Sequence, residues 1–358
     1  MRIATLANAS VVHTRRWVEH FRSRGHEVRL FSLEEPPAGF ATTALPWVPL
    51  PGVIRYPLAV PALKRELRAF APDLVDAHYV PNYGVMAALA GRRPYSITAW
   101  GSDLLLAAGR DPWQRMRARF ALEGAALVLC DAENLAAAAR RAGAPAERVR
   151  AIPWGVDREL YRPGGTRERG LILSARMHES VYDLPTVIEG AARVLETLPH
   201  AHVVFAGDGM LRPELERRAA ARLPAGRYRF VGRVGAAELA SWLSRAEVYV
   251  SASRSDSTSQ SLLEAMAAGA VPVVSDIEGN REWVRPGESA RLFPVGDAPV
   301  LARELRVVLE DPAWAASARD AAARVIAARG DWRVNLARIE RCFEAVVARR
   351  PLPEEPPL

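Results

Sequence analysis

The feature that most constrains the fold is an alternation of short apolar segments with longer amphipathic ones. The short segments have strand length and are rich in aliphatic and β-branched residues, whereas the segments between them carry apolar residues at helical spacing. In the first half of the chain the strand-like segments are residues 2–7, 27–32, 74–77, 95–99, 127–130 and 149–153. Strands that are separated by helices pair in parallel, so this half predicts a doubly wound α/β sheet with helices on both faces.

The alternation starts afresh after a polar linker that contains glycine, residues 162–169. The second set of strand-like segments is residues 171–174, 202–206, 229–231, 248–251 and 271–274. A chain of 358 residues is also too long for one ordinary core. The sequence therefore predicts two Rossmann-like domains facing across a cleft, with ligands at the carboxyl ends of the strands.

Composition and short motifs exclude several classes of protein. The chain is 49% hydrophobic and 25% charged, it has no apolar run long enough to span a bilayer, and it opens as a strand without a signal peptide. Its two cysteines lie far apart and suggest neither a disulfide framework nor a metal site. No Walker A loop is present, and no Gly-x-Gly-x-x-Gly follows the first strand, which argues against a nucleotide-dependent dehydrogenase. We expect a cytoplasmic protein without a nucleic-acid partner.

The positive charge of the chain is uneven. Residues 1–155 hold 20 Lys and Arg against 13 Asp and Glu, whereas residues 156–358 hold 28 against 28, so the first half carries the whole net charge of +7. This asymmetry favours an anionic partner, either a membrane surface or a phosphorylated substrate. Alternatively the arginines serve solubility in an arginine-rich composition, since Lys64 is the only lysine.

Two carboxylates stand out in the stretch DSTSQSLLEAMAAGAVPVVSD, which begins at Asp256. Glu264 lies in a very apolar run, where an unpaired carboxylate would cost several kcal/mol, so we expect it to have donors. The helix begins near Ser259, and the N–H groups of Ser259, Gln260 and Ser261 form an anion site at its positive end. Such a site would hold a nucleotide diphosphate, with Glu264 on the ribose and Asp256 on the hydroxyls of an attached sugar. The alternative is a partly exposed glutamate on an amphipathic helix.

Several further motifs occur in a fixed order and spacing around this stretch. They are GHEV at 25–28, PD…AH at 72–78, IPWGVD at 152–157, SAR at 174–176 and FAGDG at 205–209. Together with Asp256 and Glu264, which occupy the positions of a Glu-x7-Glu motif, they resemble the family 4 retaining glycosyltransferases over nearly the whole chain. The resemblance implies the GT-B fold. It divides the chain into an acceptor-binding domain (1–157), a nucleotide-sugar-binding domain (158–330), a helix crossing back to the first domain (331–350) and a disordered tail (351–358).

The family resemblance also implies a reaction, in which a sugar moves from a UDP- or GDP-linked donor to a hydroxyl with retention of configuration. The acceptor would be lipid-linked or a cell-surface glycan precursor. Glu264 would bind the donor ribose, Asp256 the donor sugar, and Arg176 would neutralise the diphosphate, beside the loop that contains Gly207. Neither a metal nor a cofactor is implied, because arginine and a helix dipole supply the electrostatic stabilisation.

On the donor side the chain departs from the family pattern at one position. The lysine that usually follows the arginine by five residues is Val181 here, and no lysine exists in this half of the chain. Its charge must come from an arginine, for which Arg233 and Arg254 are the candidates.

On the acceptor side two departures matter. The usual Gly-Gly loop after the first strand is replaced by a segment that contains Ser10 and His13, and Trp100 stands where relatives often carry a histidine. An indole can neither serve as a general base nor accept a proton. We therefore expect Asp103 or His78 to orient the acceptor.

The identity of the acceptor stays open at this point. In the predicted helix 113–120, arginines lie between Trp113, Met116 and Phe120 in the sequence. The predicted helix 14–24 contributes further positive charge, from Arg15, Arg16, Arg22 and Arg24. These residues suit peripheral contact with the anionic inner face of the cell membrane, although the aromatic spacing also suits a buried stripe. The alternatives are a small soluble acceptor, a sugar-nucleotide epimerase of the same fold, and a non-catalytic relative that binds nucleotide sugars.

Overall fold

The computed structural model describes residues 1–107 and 111–354, which divide into two compact units. Unit 1 is Met1–Pro153 together with Leu336–Leu358, and unit 2 is Trp154–Asn335. The division therefore falls before Trp154, whereas the sequence places it after residue 157. No helix in the described part of the chain combines the length and the hydropathy that a membrane span requires.

Unit 1 is built on a seven-stranded parallel sheet in the order β3-β2-β1-β4-β5-β6-β7. The strands are β1 (Arg2–Leu6), β2 (Glu27–Ser32), β3 (Thr43–Ala44), β4 (Leu74–His78), β5 (Tyr95–Thr98), β6 (Leu127–Cys130) and β7 (Val149–Ala151). The two-residue strand β3 was not predicted. Strand order reverses between β1 and β4, so the connections that follow these two neighbours diverge to opposite faces of the sheet.

Helices connect the strands in the described part of unit 1. They are α1 (Val12–Ser23), α2 (Gly52–Leu58), α3 (Val60–Phe70), α4 (Val85–Ala90), α5 (Pro112–Glu123) and α6 (Glu133–Arg141). Among the described residues, one π-helical segment, Tyr79–Gly84, follows β4 directly, and another, Asp103–Ala107, lies a few residues after β5.

Unit 2 contains a six-stranded parallel sheet in the order β10-β9-β8-β11-β12-β13. Its strands are β8 (Leu171–Ser174), β9 (His202–Ala206), β10 (Tyr228–Gly232), β11 (Val248–Ser251), β12 (Val271–Ser275) and β13 (Arg291–Phe293). Its helices are α7 (Leu184–Thr197), α8 (Arg212–Arg222), α9 (Ala236–Arg245), α10 (Gln260–Ala268), α11 (Glu278–Arg281), α12 (Ala298–Glu310) and α13 (Pro312–Arg329). Here the strand order reverses between β8 and β11.

The last helix, α14 (Trp332–Val347), begins in unit 2 and belongs to unit 1 from Leu336 onward. The Phe343 ring stacks on Phe21 of α1 at 5.3 Å between centroids, and Glu340 accepts hydrogen bonds from Arg24 (3.0 Å) and His26 (2.8 Å). The helix is therefore fixed to unit 1 by an aromatic contact and a buried carboxylate.

The predicted disorder of the tail does not extend to its first residues. Arg150 donates from Nε to the carbonyl oxygen of Pro353 (2.8 Å) and from a terminal nitrogen to that of Leu352 (3.3 Å). Residues 355–358 lie outside the described part of the chain.

Candidate active site

The predicted donor residues of unit 2 meet at the point where its strand order reverses. Arg176 follows β8, and the loop from Asp256 to Ser259 lies between the neighbouring strand β11 and helix α10. The Arg176 guanidinium donates to Asp256 (2.5 Å), to the Ser259 hydroxyl (2.6 Å) and to the Ser261 hydroxyl (3.1 Å). This arrangement joins a cation, a carboxylate and the start of a helix in one cluster.

Arg176 is only 8% exposed, and no described residue accepts a hydrogen bond from its Nε. Burial alone would lower the pKa of Arg176, but the Asp256 carboxylate and the hydroxyls of Tyr249 and Tyr182 raise it above its usual value. The guanidinium therefore stays charged while one of its N–H groups is unused within the described chain.

The start of α10 adds further donors. The first N–H groups of a helix have no partner inside it, and the N-cap residue Ser259 makes no side-chain capping bond within the described chain. Helix α10 ends at Gly269, as predicted. This glycine adopts a left-handed φ of 82°. The positive end of α10 thus lies beside the Arg176 guanidinium.

Glu264 is 5% exposed and lies one turn into α10 from Gln260. Gln260 and Glu264 lie four residues apart and therefore share a helix face. The Gln260 side-chain amide donates to the carbonyl oxygen of Gly155 (2.8 Å). The alternative of a partly exposed glutamate is therefore wrong, since the Glu264 carboxylate is buried within unit 2.

Two glycines allow the loops of this cluster to approach closely. A Cβ at Gly207 would collide with the carbonyl oxygen of Arg176, and one at Gly279 would collide with the backbone of Asp256 and Ser257. Gly207 was predicted as a donor residue, whereas Gly279 was not, because its neighbour in space is distant in sequence.

The two arginines proposed as replacements for lysine differ in their surroundings. The backbone N–H of Arg254 donates to the carbonyl oxygen of Val181 (2.8 Å), and its guanidinium pairs with Asp183 (2.8 Å). Arg233 is exposed and follows β10.

Two tyrosines that the sequence analysis missed complete the cluster. The Tyr182 ring lies under the Arg176 guanidinium at 4.1 Å, and the Tyr249 hydroxyl is 2.7 Å from the Ser261 hydroxyl. Burial raises the pKa of Tyr182, so its phenol stays neutral beside the arginine. The alternation along β11 predicts that Tyr249 is buried but not which hydroxyl it meets.

In unit 1, His78 is engaged by other side chains on both ring nitrogens. Its Nε2 lies 2.9 Å from Asp76 Oδ2, and the Trp100 indole N–H donates to its Nδ1 at 3.3 Å. Asp103 is buried and accepts hydrogen bonds from the backbone N–H groups of Val80 and Trp100. Burial raises the pKa of Asp103 above its usual value, although these backbone donors partly offset the increase. Both side chains are therefore bonded to residues at this edge of the sheet, and their role in orienting the acceptor stays a prediction.

The other predicted acceptor residues lie in the loop after β1 and at the start of α1. Ser10 donates from its backbone N–H (2.9 Å) and its hydroxyl (2.7 Å) to Asn8 Oδ1 in an exposed turn. His13 is half-buried, with its ring centroid 6.2 Å from that of Trp100. Burial, and secondly Arg16, lower the pKa of His13 to about 4.

Comparison with known proteins identifies the family. Residues 10–160 match the family model described as Glycosyltransferase Family 4, and residues 168–311 match that described as Glycosyl transferases group 1. The chain belongs to glycosyltransferase family 4. The predicted family is thereby confirmed from two matches that lie one in each half of the chain.

Solved structures of this family type confirm the GT-B fold. The chain superposes on a sucrose-phosphate synthase from Thermosynechococcus elongatus with a TM-score of 0.85 at 20% identity, covering 98% of this chain and 100% of that one. It superposes on Anabaena HepE, in complex with UDP and glucose, with a TM-score of 0.83 at 18% identity, covering 96% and 100%. At these identities the likeness shows the fold alone.

Curated relatives of the family include lipid mannosyltransferases. The chain is 32% identical over 202 residues to the phosphatidyl-myo-inositol mannosyltransferase of Mycolicibacterium smegmatis, a match covering 54% of this chain and 51% of that protein. It therefore spans about half the length of this relative. It is also 25% identical over 274 residues to the putative glycosyltransferase EpsD of Bacillus subtilis, covering 70% and 71%.

Proposed function

We propose that this protein is a retaining hexosyltransferase that moves a sugar from a UDP- or GDP-linked donor to a hydroxyl of a lipid-linked acceptor. The observation that carries the proposal is the buried Arg176 guanidinium beside the start of α10, with an N–H group unused among the described residues. A cation and a helix N-terminus together favour a diphosphate. Membership of family 4 and the Asp256 and Glu264 carboxylates support a sugar nucleotide as its source.

In this reaction the bond between the anomeric carbon and the diphosphate oxygen breaks while the acceptor oxygen bonds to the same face of that carbon. The acceptor proton passes to the departing phosphate. Negative charge on the diphosphate grows toward the transition state, so Arg176 and the α10 N–H groups would bind it more tightly there than in the ground state. Glu264 would hold the ribose hydroxyls and Asp256 those of the sugar.

For the missing lysine we propose Arg254 rather than Arg233. The backbone hydrogen bond between Arg254 and Val181 brings the arginine beside the position where the family usually carries lysine. Asp183 holds its guanidinium in an ion pair. Arg254→Ala should raise the donor KM, whereas Arg233→Ala should leave it nearly unchanged. The opposite ranking of the two variants would assign the role to Arg233.

The direct test of the proposed function has two steps. A thermal-shift screen of UDP-, GDP- and ADP-sugars should find a stabilising donor, since a ligand at 100 times its dissociation constant adds about 2.7 kcal/mol. Nucleotide release from that donor should then require an added acceptor. Release without an acceptor would favour an epimerase or hydrolase, and binding without release would favour a non-catalytic relative.

We also propose that unit 1 contacts an anionic membrane through α5. Trp113, Met116 and Phe120 are 54%, 52% and 49% exposed, so the alternative in which this stripe faces the core is wrong. Exposed Arg115 and Arg119 lie on the same helix, and Arg119 also pairs with Glu123 at 2.6 Å. Aromatic side chains with neighbouring arginines suit the boundary between head groups and acyl chains, where each arginine is worth about 1 kcal/mol.

Two of the four arginines predicted for the α1 part of this surface are engaged within unit 1. Arg22 donates to the carbonyl oxygen of Val28 (3.0 Å) and Arg24 pairs with Glu340 (3.0 Å). In addition, α1 packs against α14, whereas α5 packs against α4. We therefore restrict the membrane surface to α5.

Sedimentation with phosphatidylglycerol vesicles tests the membrane contact. The protein should pellet with vesicles at low salt and dissociate as salt shortens the Debye length. Replacing Trp113, Met116 and Phe120 by serine together should abolish pelleting, whereas Met210→Ser, at a side chain that is 92% exposed in unit 2, should not. If the parent protein stays in the supernatant and glycosylates a soluble acceptor, the membrane contact is refuted and the acceptor is a small molecule.

A further inference from the structure

A cavity lies at the amino-terminal edge of the unit 1 sheet, opposite the carboxyl edge. Its volume is about 460 Å³, and all the residues that line it belong to unit 1. Strands β5, β6 and β7 are parallel neighbours, and residues that directly precede them form one side of the cavity, namely Pro94, Ala126 and Arg148. The end of α14 and the segment after it form another side. We call this space the amino-edge cavity.

The amino-edge cavity has a basic lining. Four arginines line it, Arg93, Arg148, Arg349 and Arg350, and no described residue of the lining carries a carboxylate. Outside the lining, Glu147 lies 3.8 Å from Arg148 in an exposed ion pair, which contributes little. Cations gathered around one concave surface produce a positive potential there. The cavity therefore favours an anionic ligand.

The loop that ends α5 holds two of these arginines. Arg93 donates to the carbonyl oxygen of Gly124, and Arg148 donates to that of Ala125 (3.1 Å). A Cβ at Gly124 would collide with the Arg93 guanidinium and the Tyr95 hydroxyl, so a side chain there would displace one of them. A guanidinium has five N–H donors. These bonds therefore orient both cations and leave further N–H groups for a ligand.

The other two arginines belong to the turn that terminates α14. The N–H of Arg349 donates to the carbonyl oxygen of Val346 (3.2 Å) and that of Arg350 to Ala345 (2.9 Å), which are the two bonds of a Schellman motif. Arg349 adopts a φ of 52° at the position where glycine is usual. Both arginines are exposed, and within residues 1–107 and 111–354 neither guanidinium has a hydrogen-bond or ion-pair partner.

The negative end of α14 alone would favour arginines in this turn. That effect does not account for Arg93 and Arg148, which come from other elements and line the same cavity. Convergence of cations from three segments of the chain is the observation that indicates a ligand.

Apolar side chains lie beside the cations. Val346, Val347 and Leu352 line the cavity together with Pro94 and Ala126. Arg150 holds Leu352 in place through the hydrogen bonds that fix the segment after α14. The volume of the cavity falls in the range of about 300–1000 Å³ that is usual for small-molecule sites. Inorganic phosphate alone would leave most of it unfilled.

We propose that the amino-edge cavity binds a phosphate monoester that carries an apolar group. Guanidinium groups bind phosphate oxygens through paired hydrogen bonds, and the apolar lining accepts the organic part. A fully ionised monoester carries about two negative charges, more than a diester, which suits a site with four arginines. Soluble phosphorylated metabolites and lipids with a terminal phosphate share this chemistry. The site lies apart from the donor and acceptor sites of the proposed function and does not depend on them.

Isothermal titration calorimetry at low salt tests the proposal, with phenyl phosphate as the probe. Phenyl phosphate should bind saturably and more tightly than inorganic phosphate or dimethyl phosphate, and phenol should not bind. Arg349→Gln combined with Arg350→Gln should weaken this binding at least about tenfold, because two charge-assisted contacts are lost. The matched control, Arg217→Gln with Arg218→Gln, replaces two adjacent exposed arginines of α8 in unit 2 and should leave it unchanged.

The proposed donor site also attracts phosphate, so Arg176→Ala separates the two sites. Phenyl phosphate should still bind to Arg176→Ala, and this binding should again weaken when Arg349 and Arg350 are replaced. If Arg176→Ala loses the binding and the Arg349 and Arg350 variant keeps it, the probe occupies the donor site. That result would overturn the inference and leave the proposed function intact.

Vesicles distinguish the two sources of the ligand. Trp113→Ser, Met116→Ser and Phe120→Ser combined removes the proposed α5 contact, so pelleting of this variant with phosphatidic acid vesicles, but not with phosphatidylglycerol vesicles, would assign the cavity to a lipid phosphate. Binding of phenyl phosphate without such pelleting would assign it to a soluble metabolite.

Three results would overturn the proposal itself. They are no binding of phenyl phosphate, equal binding of phenol, and binding that the Arg349 and Arg350 substitutions leave unchanged. Binding that appears only in Glu354→Gln combined with Glu355→Gln would also overturn it, because the arginines would then serve the acidic residues of segment 351–358.

Discussion

Arg176→Ala removes the cation that we propose meets the donor diphosphate. In the structure this guanidinium makes hydrogen bonds to Asp256 (2.5 Å), Ser259 (2.6 Å) and Ser261 (3.1 Å). The substitution therefore has two separable effects. It removes the ion pair between Arg176 and Asp256 in the free protein, and it deprives the departing diphosphate of a fixed positive charge.

The two effects differ in size and in the quantity that they change. Leaving a partly buried polar group without its partner costs about 1–3 kcal/mol of folding free energy, which a domain of ordinary stability, about 5–15 kcal/mol, tolerates. Removing one preorganised donor from a developing oxyanion typically lowers turnover about 100- to 1000-fold, and each tenfold step corresponds to about 1.4 kcal/mol. We expect a fall in kcat of at least about tenfold in a protein that stays folded.

Steady-state kcat and donor KM, measured together with the thermal midpoint, separate these effects. Arg291→Ala is the matched control, because Arg291 also pairs with a buried carboxylate of unit 2, Glu304, at 2.5 Å. The control should lose stability and keep its kcat. Arg176→Lys should recover part of the activity, because it retains a charge but loses the planar fork of the guanidinium. Unchanged turnover in Arg176→Ala would remove this residue from the mechanism.

Three further predictions concern the donor site, metals and pH. Glu264→Ala should stay folded but lose the thermal shift given by the nucleotide donor, and an unaltered shift would refute the ribose contact. Transfer should survive EDTA, because arginine and a helix N-terminus supply the positive charge, and a loss that added metal restores would contradict this. Burial would raise the pKa of Glu340, but hydrogen bonds from His26 and Arg24 hold it below its ordinary value of 4.5. Glu340 therefore stabilises the fold above that pH and ceases to do so as pH falls through its folded pKa, so denaturant unfolding of Glu340→Gln should differ from the parent at neutral pH and converge with it in acid.

The strands were predictable because most of them are short, buried and apolar, and the helices between them are amphipathic. The predicted elements omit β3, β13, α2, α11, α12 and α13, and some of these omissions have physical reasons. Strand β3 is two residues long and has no pattern to detect. Helix α13 places alanine on several faces, so its apolar stripe is weak and was not assigned. The π-helical turn at Tyr79–Gly84 replaces the start of the predicted helix 83–90, because backbone strain leaves no periodic signal.

Local sequence predicted the candidate site less completely than the fold. Asp256 and Glu264 could be found from the sequence, because both lie in one short segment around the start of α10. The ion pair between Arg176 and Asp256 depends on β8 and β11 being neighbours, which is a property of strand order and not of local sequence. Likewise, the hydrogen bond from Trp100 occupies His78 only because β4 and β5 pair.

The net positive charge of the chain and the proposed donor site lie in different halves of the sequence. The excess arginines belong to the first half, yet the ion pair of Arg176 and Asp256 before α10 lies in the electroneutral second half. In unit 1 the His13 ring lies near that of Trp100, and burial, and secondly Arg16, lower the pKa of His13 to about 4. A diphosphate donor is anionic, so we propose that the Arg176 cation and the start of α10 bind it. It follows that raising the salt concentration should weaken the binding of the donor, which depends on charge.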